Sequence, residues 1–174
     1  MKKEETCCFT GHRPTKLPWG EDESDPRCVG LKRRLEDALE DAYADGARHF
    51  ICGMALGSDF YFCEAVLKLR DKYGSITVEA ALPCEEQSAH WKERDRQRYF
   101  ALIARCDYET MVQRLYDRQC MQRRDRYMVD RSARVIAVYG GIIGGTMYTL
   151  SYAMKKGLEV VLLSLEEEGE TARM

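Results

Sequence analysis

A chain of 174 residues and 20.1 kDa, 45% hydrophobic and 32% charged with a net charge of −2, has the make-up of one globular domain. That balance excludes a disordered chain, and no apolar run nears the roughly 20 residues needed to span a bilayer. The start Met-Lys-Lys-Glu-Glu has no apolar signal core, so a cytoplasmic location is expected. Eight cysteines occur without Cys-x-x-Cys or paired-histidine spacing, which predicts reduced thiols packed in the core and no metal site.

Strand and helix patterns alternate along the chain. Residues 6–10 read as a buried strand, followed by a polar loop from Pro14 to Pro26. A helix from Cys28 to Ala44 places Leu31, Leu35, Leu39 and Ala42 on one face and is closed by Gly46. Strand 48–52 and a helix from Ser58 to Lys72 come next, ended by Gly74. Strand Ile76 to Leu82 stops at Pro83, and a long charged helix is expected from Glu85 to Arg105, with Trp91, Tyr99, Leu102 and Ile103 as its apolar contacts. A weak strand at 108–112 precedes a helix at 117–131, where Tyr116, Met121, Tyr127 and Met128 suit either core or a homo-oligomer face. Strand 134–139, a helix from Thr146 to Lys156 and strand 159–163 complete the series. The acidic tail over 164–174 is expected to fray.

Such alternation predicts a single α/β domain spanning 1–174, with its core at about 6–163. Its architecture is a Rossmann-like, doubly wound, mostly parallel sheet with helices on both faces in three layers. Ligands of such folds lie outside the carboxyl ends of the strands, at the point where strand order reverses. Charge is uneven along the chain: residues 19–45 carry nine acids against four bases, and residues 92–134 carry twelve bases against seven acids. Either a solvated, internally paired face or an anion-facing surface accounts for the second stretch.

Three glycine-bearing turns each follow an apolar strand. In the first, Thr10-Gly11-His12-Arg13-Pro14, Arg13 can fork onto a phosphate, and His12 suits either ligand hydrogen bonding or general acid–base work. The second, Gly53-Met54-Ala55-Leu56-Gly57-Ser58-Asp59, offers Ser58 as an N-cap and Asp59 in the first helical turn. It matches neither the dinucleotide fingerprint nor a Walker A loop. The third, Gly140-Gly141-Ile142-Ile143-Gly144-Gly145-Thr146, packs four glycines into six residues, an entropic cost that ligand approach explains better than a bare turn does. There Thr146 is placed to cap the helix or offer its hydroxyl.

Taken together, the segments Cys8-Phe9-Thr10-Gly11-His12-Arg13-Pro14, Gly53 to Asp59, Pro83-Cys84 with Trp91, Arg124 with Tyr127-Met128-Val129-Asp130, and Gly144-Gly145-Thr146 resemble the YpsA-like proteins of the SLOG superfamily, a family of unknown function. The resemblance runs over about residues 6–163, and its specific part is Phe9-Thr10-Gly11-His12-Arg13-Pro14. It implies a Rossmann-like fold related to the DNA-processing protein DprA and to the LOG enzymes. It also implies a pocket for a nucleotide or nucleotide-derived ligand such as NAD or ADP-ribose, and a regulatory role in bacterial cells. Thr10, Gly11, His12 and Arg13 would form one rim, Gly53, Gly57, Ser58 and Asp59 a second, and Gly144, Gly145 and Thr146 a third.

The chain departs from the family's usual residues at Asp125, Ala133 and Gly140. LOG enzymes carry a glutamate three residues after the glycine-turn threonine; here Thr146 is followed by Met147, Tyr148 and Thr149. Binding is therefore expected rather than catalysis, with His12, Asp59 and Glu64 as the weak catalytic candidates for cleavage of an N-glycosidic or phosphate bond. Single-stranded DNA binding through the arginine-rich stretch is the third reading.

Overall fold

The computed structural model describes residues 1–165 and 171–174. Strands β1 (Thr6–Gly11), β2 (His49–Cys52), β3 (Thr77–Leu82), β4 (Tyr108–Met111), β5 (Arg134–Tyr139), β6 (Glu159–Ser164) and β7 (Thr171–Arg173) form one sheet in the order β4-β3-β2-β1-β5-β6-β7. All pairings are parallel except β6 with β7. The connecting helices are α1 (Pro26–Ala44), α2 (Ser58–Tyr73), α3 (Glu93–Ile103), α4 (Cys120–Asp130) and α5 (Gly145–Lys155).

Side-chain alternation along β1 explains the three layers. Cys7 and Phe9 point into a core shared with α1, α2 and α3, where Phe9 stacks on Phe62 at 4.6 Å between ring centroids. Cys8 points the other way, into a core with Met128 and Val129 of α4 and Leu150 and Ala153 of α5. Both faces are covered, which is why the central strands are near-continuous apolar runs. The eight cysteines are free thiols, seven of them buried. Among the described residues no helix is long and apolar enough to cross a membrane.

Several expected boundaries are corrected. Helix α1 starts at Pro26, because Asp25 accepts a hydrogen bond from the Arg27 N–H at 2.8 Å and Pro26 fits the first helical position. The helix expected from Glu85 to Arg105 is limited to Glu93–Ile103. Before it, the Glu85 N–H pairs with the Arg114 carbonyl at 3.1 Å and Gln87 donates to the Gly53 and Met54 carbonyls, interactions that hold residues 84–92 in turns. Trp91 packs edge-on against Phe60 and Tyr99 just ahead of α3. Helix α4 begins at Cys120, three residues later than expected. The tail is not wholly frayed: residues 171–173 pair antiparallel with β6, where Arg173 is ion-paired with Glu159 and Asp45. Residues 166–170 of the expected tail lie outside the described residues.

Strand order reverses between β1 and β5. The chain lays β2, β3 and β4 outward on one side of β1, then returns to place β5 on the other, with Cys8 opposite Val135 and Thr10 opposite Ala137. Loops leaving the carboxyl ends of β1 and β5 therefore diverge, and a crevice opens between them.

Candidate functional site

The three glycine turns meet at that crevice, around a cleft of roughly 190 Å³. Thr10, Gly11, His12 and Arg13 line it from the first turn, Asp59 from the second, and Gly145 and Thr146 from the third. Gly53, Gly57, Ser58 and Gly144, expected in the rims, are not among its lining residues.

Close backbone approach explains the first two turns. A Cβ on Gly11 would collide with the Ser58 hydroxyl, and one on Gly57 would lie 2.8 Å from Pro14 Cδ and 3.0 Å from the His12 carbonyl. Gly57 also has φ of +91°, open to glycine and strained for other residues. Ser58 is not the N-cap, a position held by Gly57; its hydroxyl instead donates to the His12 carbonyl at 2.8 Å, alongside its own N–H. The amino end of α2 is thus occupied by the protein itself. Arg124 packs where a Gly53 side chain would be and donates to the Gly53 carbonyl. Met54, buried with φ of +56°, is held in this strained turn by the Gln87 side chain.

The third turn is open. Gly144 is the N-cap of α5, and the first intrahelical bond runs from the Tyr148 N–H to the Gly144 carbonyl. The N–H groups of Gly145, Thr146 and Met147 have no helical acceptor, and they sit at the positive end of the helix dipole. A Cβ on Gly145 would meet nothing within 4 Å. Thr146, expected as a cap, is the second helical residue, and its hydroxyl lies beside His12 instead.

His12 ties all three turns together. Besides its carbonyl bond to Ser58, its Nε2 accepts the Gly140 N–H at 3.1 Å and its Nδ1 lies 3.4 Å from Thr146 Oγ1. Burial, reinforced by the Lys16 charge, lowers its pKa, which keeps the ring neutral. Both ring nitrogens are engaged by protein groups, a poor arrangement for a general acid or base.

Opposite charges share the cleft. Asp59, 5% exposed, accepts the Ala55 N–H with Oδ2 at 3.0 Å, and its Oδ1 has no hydrogen-bond partner among the described residues. Burial raises its pKa to about 6 in spite of the Arg124 guanidinium. Arg124 is paired through Nε to Asp125 at 2.7 Å, and Asp125 in turn accepts from Thr149 at 3.0 Å. Asp125 thus takes two donors, a role suited to a carboxylate. The other departures carry no polar side chain toward the site: Ala133 pairs by its backbone with Thr6 and Glu159, and Gly140 acts through its N–H.

Arg13 and Lys16 stand at the mouth. Neither has a carboxylate partner among the described residues; Arg13 approaches the Met121 sulfur at 3.9 Å and Lys16 donates to the Ile143 carbonyl at 3.0 Å. Lys16 is a site residue that sequence reasoning missed, because a lysine in a polar loop carries no motif, and only the fold brings it over the α5 terminus. Glu64 is not brought to the cleft: both its oxygens are held by Arg98, at 2.9 Å each.

The arginine-rich stretch is mostly neutralised. Arg94 pairs with Glu21, Arg98 with Glu23 and Glu64, Arg105 with Asp71, Arg114 with Glu85 and Arg123 with Asp117. Much of the acidic 19–25 segment is thereby spent on α3 and its approach.

A family model described as the YspA SLOG family, that of YpsA, matches residues 7–162. The SPbeta prophage-derived protein YoqJ of Bacillus subtilis is 30% identical over 143 residues, covering 75% of this chain and 84% of that protein. The UPF0398 protein YpsA of Bacillus subtilis is 24% identical over 133 residues, covering 75% and 73%. Among solved structures, DNA processing protein A (DprA) from Streptococcus pneumoniae superimposes with a TM-score of 0.59 at 15% identity, over 92% of this chain. The chain spans 50% of that structure's length. DprA from Helicobacter pylori, described in its single-stranded DNA binding mode, gives 0.63 at 15% identity over 97% of this chain and 69% of the other.

Proposed function

Because the chain belongs to the YpsA SLOG family, we propose that its cleft binds a phosphate-bearing ribonucleotide-type ligand and that the protein acts as a binding or sensor domain. The observation that carries this reading is that one small cleft is lined by both cations and a buried carboxylate. Lys16 lies at the amino end of α5, whose first N–H groups have no helical acceptor, and Arg13 lies within electrostatic reach of the Asp59 carboxylate, one oxygen of which has no partner among the described residues. A phosphate belongs at the α5 end, where dipole and cation add. A group that donates hydrogen bonds, such as a ribose diol, belongs at Asp59. A ligand with both features is a nucleotide or a sugar phosphate; AMP, NAD and ADP-ribose have them.

Catalysis is not part of this reading. The His12 ring is fully engaged and Glu64 is turned away, which leaves Asp59 without a partner to complete an acid–base pair. Single-stranded DNA is the second reading, favoured by Arg13 and Lys16, which have no carboxylate partner among the described residues, and by the exposed Ile143 that Lys16 contacts. It draws less support from the arginine-rich stretch, whose charges are largely paired within the chain.

Thermal-shift measurements with AMP, ADP-ribose, NAD, cyclic nucleotides and an oligo-dT strand test the proposal. Stabilisation by at least one ribonucleotide is expected, reduced about tenfold or more in affinity by Arg13→Glu or Lys16→Glu. No stabilisation by any nucleotide, or a response to oligo-dT alone with a steep salt dependence, would overturn it.

A further inference from the structure

The hydrogen bonds around His12 fix where its protons are. The Gly140 backbone N–H can only donate, so Nε2, 3.1 Å away, must present its lone pair. A neutral ring then carries its proton on Nδ1, the nitrogen that faces Thr146 Oγ1 at 3.4 Å. Nδ1 donates and the threonine oxygen accepts. The Thr146 hydroxyl proton must therefore point elsewhere, and no acceptor for it exists among the described residues. Yet Thr146 is only 7% exposed and lines the cleft beside the open amino end of α5.

We infer that His12 is a positioning residue that converts the Thr146 hydroxyl into a dedicated hydrogen-bond donor aimed at an anionic oxygen in the cleft. The relay runs from the Gly140 N–H through the His12 ring to the Thr146 O–H and then to the ligand. It rests on the reading of the cleft as a phosphate site and goes beyond it in two ways. It gives His12 a role that involves no proton exchange, and it aims the Thr146 hydroxyl proton at groups that accept hydrogen bonds. A phosphate satisfies that relay.

Two measurements test the relay. Nitrogen NMR of the ligand-free protein with ¹⁵N-labelled histidine, assigned by the loss of one signal set in His12→Gln, should show His12 neutral at pH 7 with its proton on Nδ1. Calorimetric titration with inorganic phosphate and with AMP should show Thr146→Val weakening binding about tenfold or more and Thr146→Ser restoring it to within about threefold. His12→Gln combined with Thr146→Val should be no weaker than Thr146→Val alone, because the two act through one bond. A protonated or Nε2–H ring, a Thr146→Val variant that binds phosphate as wild type does, or additive losses in the double variant would overturn the inference. If the wild type binds neither probe, the phosphate reading itself falls, and the anion role of Thr146 falls with it. The tautomer then reports only on the ring.

Discussion

At position 59 a carboxylate sits in a wall of the cleft, 5% exposed, with one oxygen bonded and one not. Its folded pKa of about 6 lies above the ordinary aspartate value, so the folded state holds that proton more tightly than the unfolded chain does. Asp59 therefore favours folding below pH 4, and that contribution is lost as pH rises through 6. An ionised Asp59 at pH 8 is a liability of roughly 1–3 kcal/mol. Asp59→Asn is accordingly expected to raise the urea midpoint at pH 8 and to flatten the pH dependence of stability between pH 4 and 6. A lower midpoint at pH 8 would show that attraction to the Arg124 charge outweighs desolvation. Glu79 behaves in the opposite sense. Burial would raise its pKa, but hydrogen bonds from His49, Tyr127 and Thr110 win and hold it at about 2. Its stabilisation is full above pH 4.5 and lost as pH falls toward 2. Glu79→Ala should cost about 3–5 kcal/mol at pH 7 by leaving buried donors unpaired, read from denaturant unfolding, and should make the protein less sensitive to acid.

Helix α5 separates stability from binding. Gly145 occupies its first turn with open space where a side chain would be and without a positive φ. Gly145→Ala is therefore expected to keep or raise stability, by about 0.4–1 kcal/mol, while the new methyl group narrows the anion cradle and weakens phosphate binding. Reduced stability together with unchanged binding would show that the glycine serves the turn and not a ligand. Element by element, apolar runs made the central strands legible, and 3.6-residue spacing did the same for α1 and α2. The turn over 84–92 was not legible, since Trp91 and its charged neighbours fit a helix, and the bonds that forbid one, from Glu85 to Arg114 and from Gln87 to Gly53 and Met54, are long-range. Of the cleft, Thr10 to Arg13, Asp59, Gly145 and Thr146 were legible from glycine placement after strands. Lys16 and the ring contacts of His12 were not, because they depend on loops that meet only when β5 is laid beside β1. Serine and threonine favour helix caps, but the Ser58 and Thr146 hydroxyls both lie against His12 instead.

Across the whole molecule, the uneven charge of the sequence is resolved internally. The loop between β1 and α1 carries Glu21 and Glu23, which engage Lys92, Arg94 and Arg98 around α3. These contacts anchor the loop that presents Arg13 and Lys16, the cleft cations without a carboxylate partner among the described residues. The central claim is that this cleft reads a phosphate and a ribose together. Calorimetric titration of the wild-type chain with AMP and with its 2′,3′-dideoxy counterpart, at one fixed low salt concentration, tests it most directly. One AMP per chain is expected, with the dideoxy nucleotide weaker by about tenfold or more, and with that difference abolished in Asp59→Ala. Equal affinity for the two nucleotides, or no heat from either, would contradict the account.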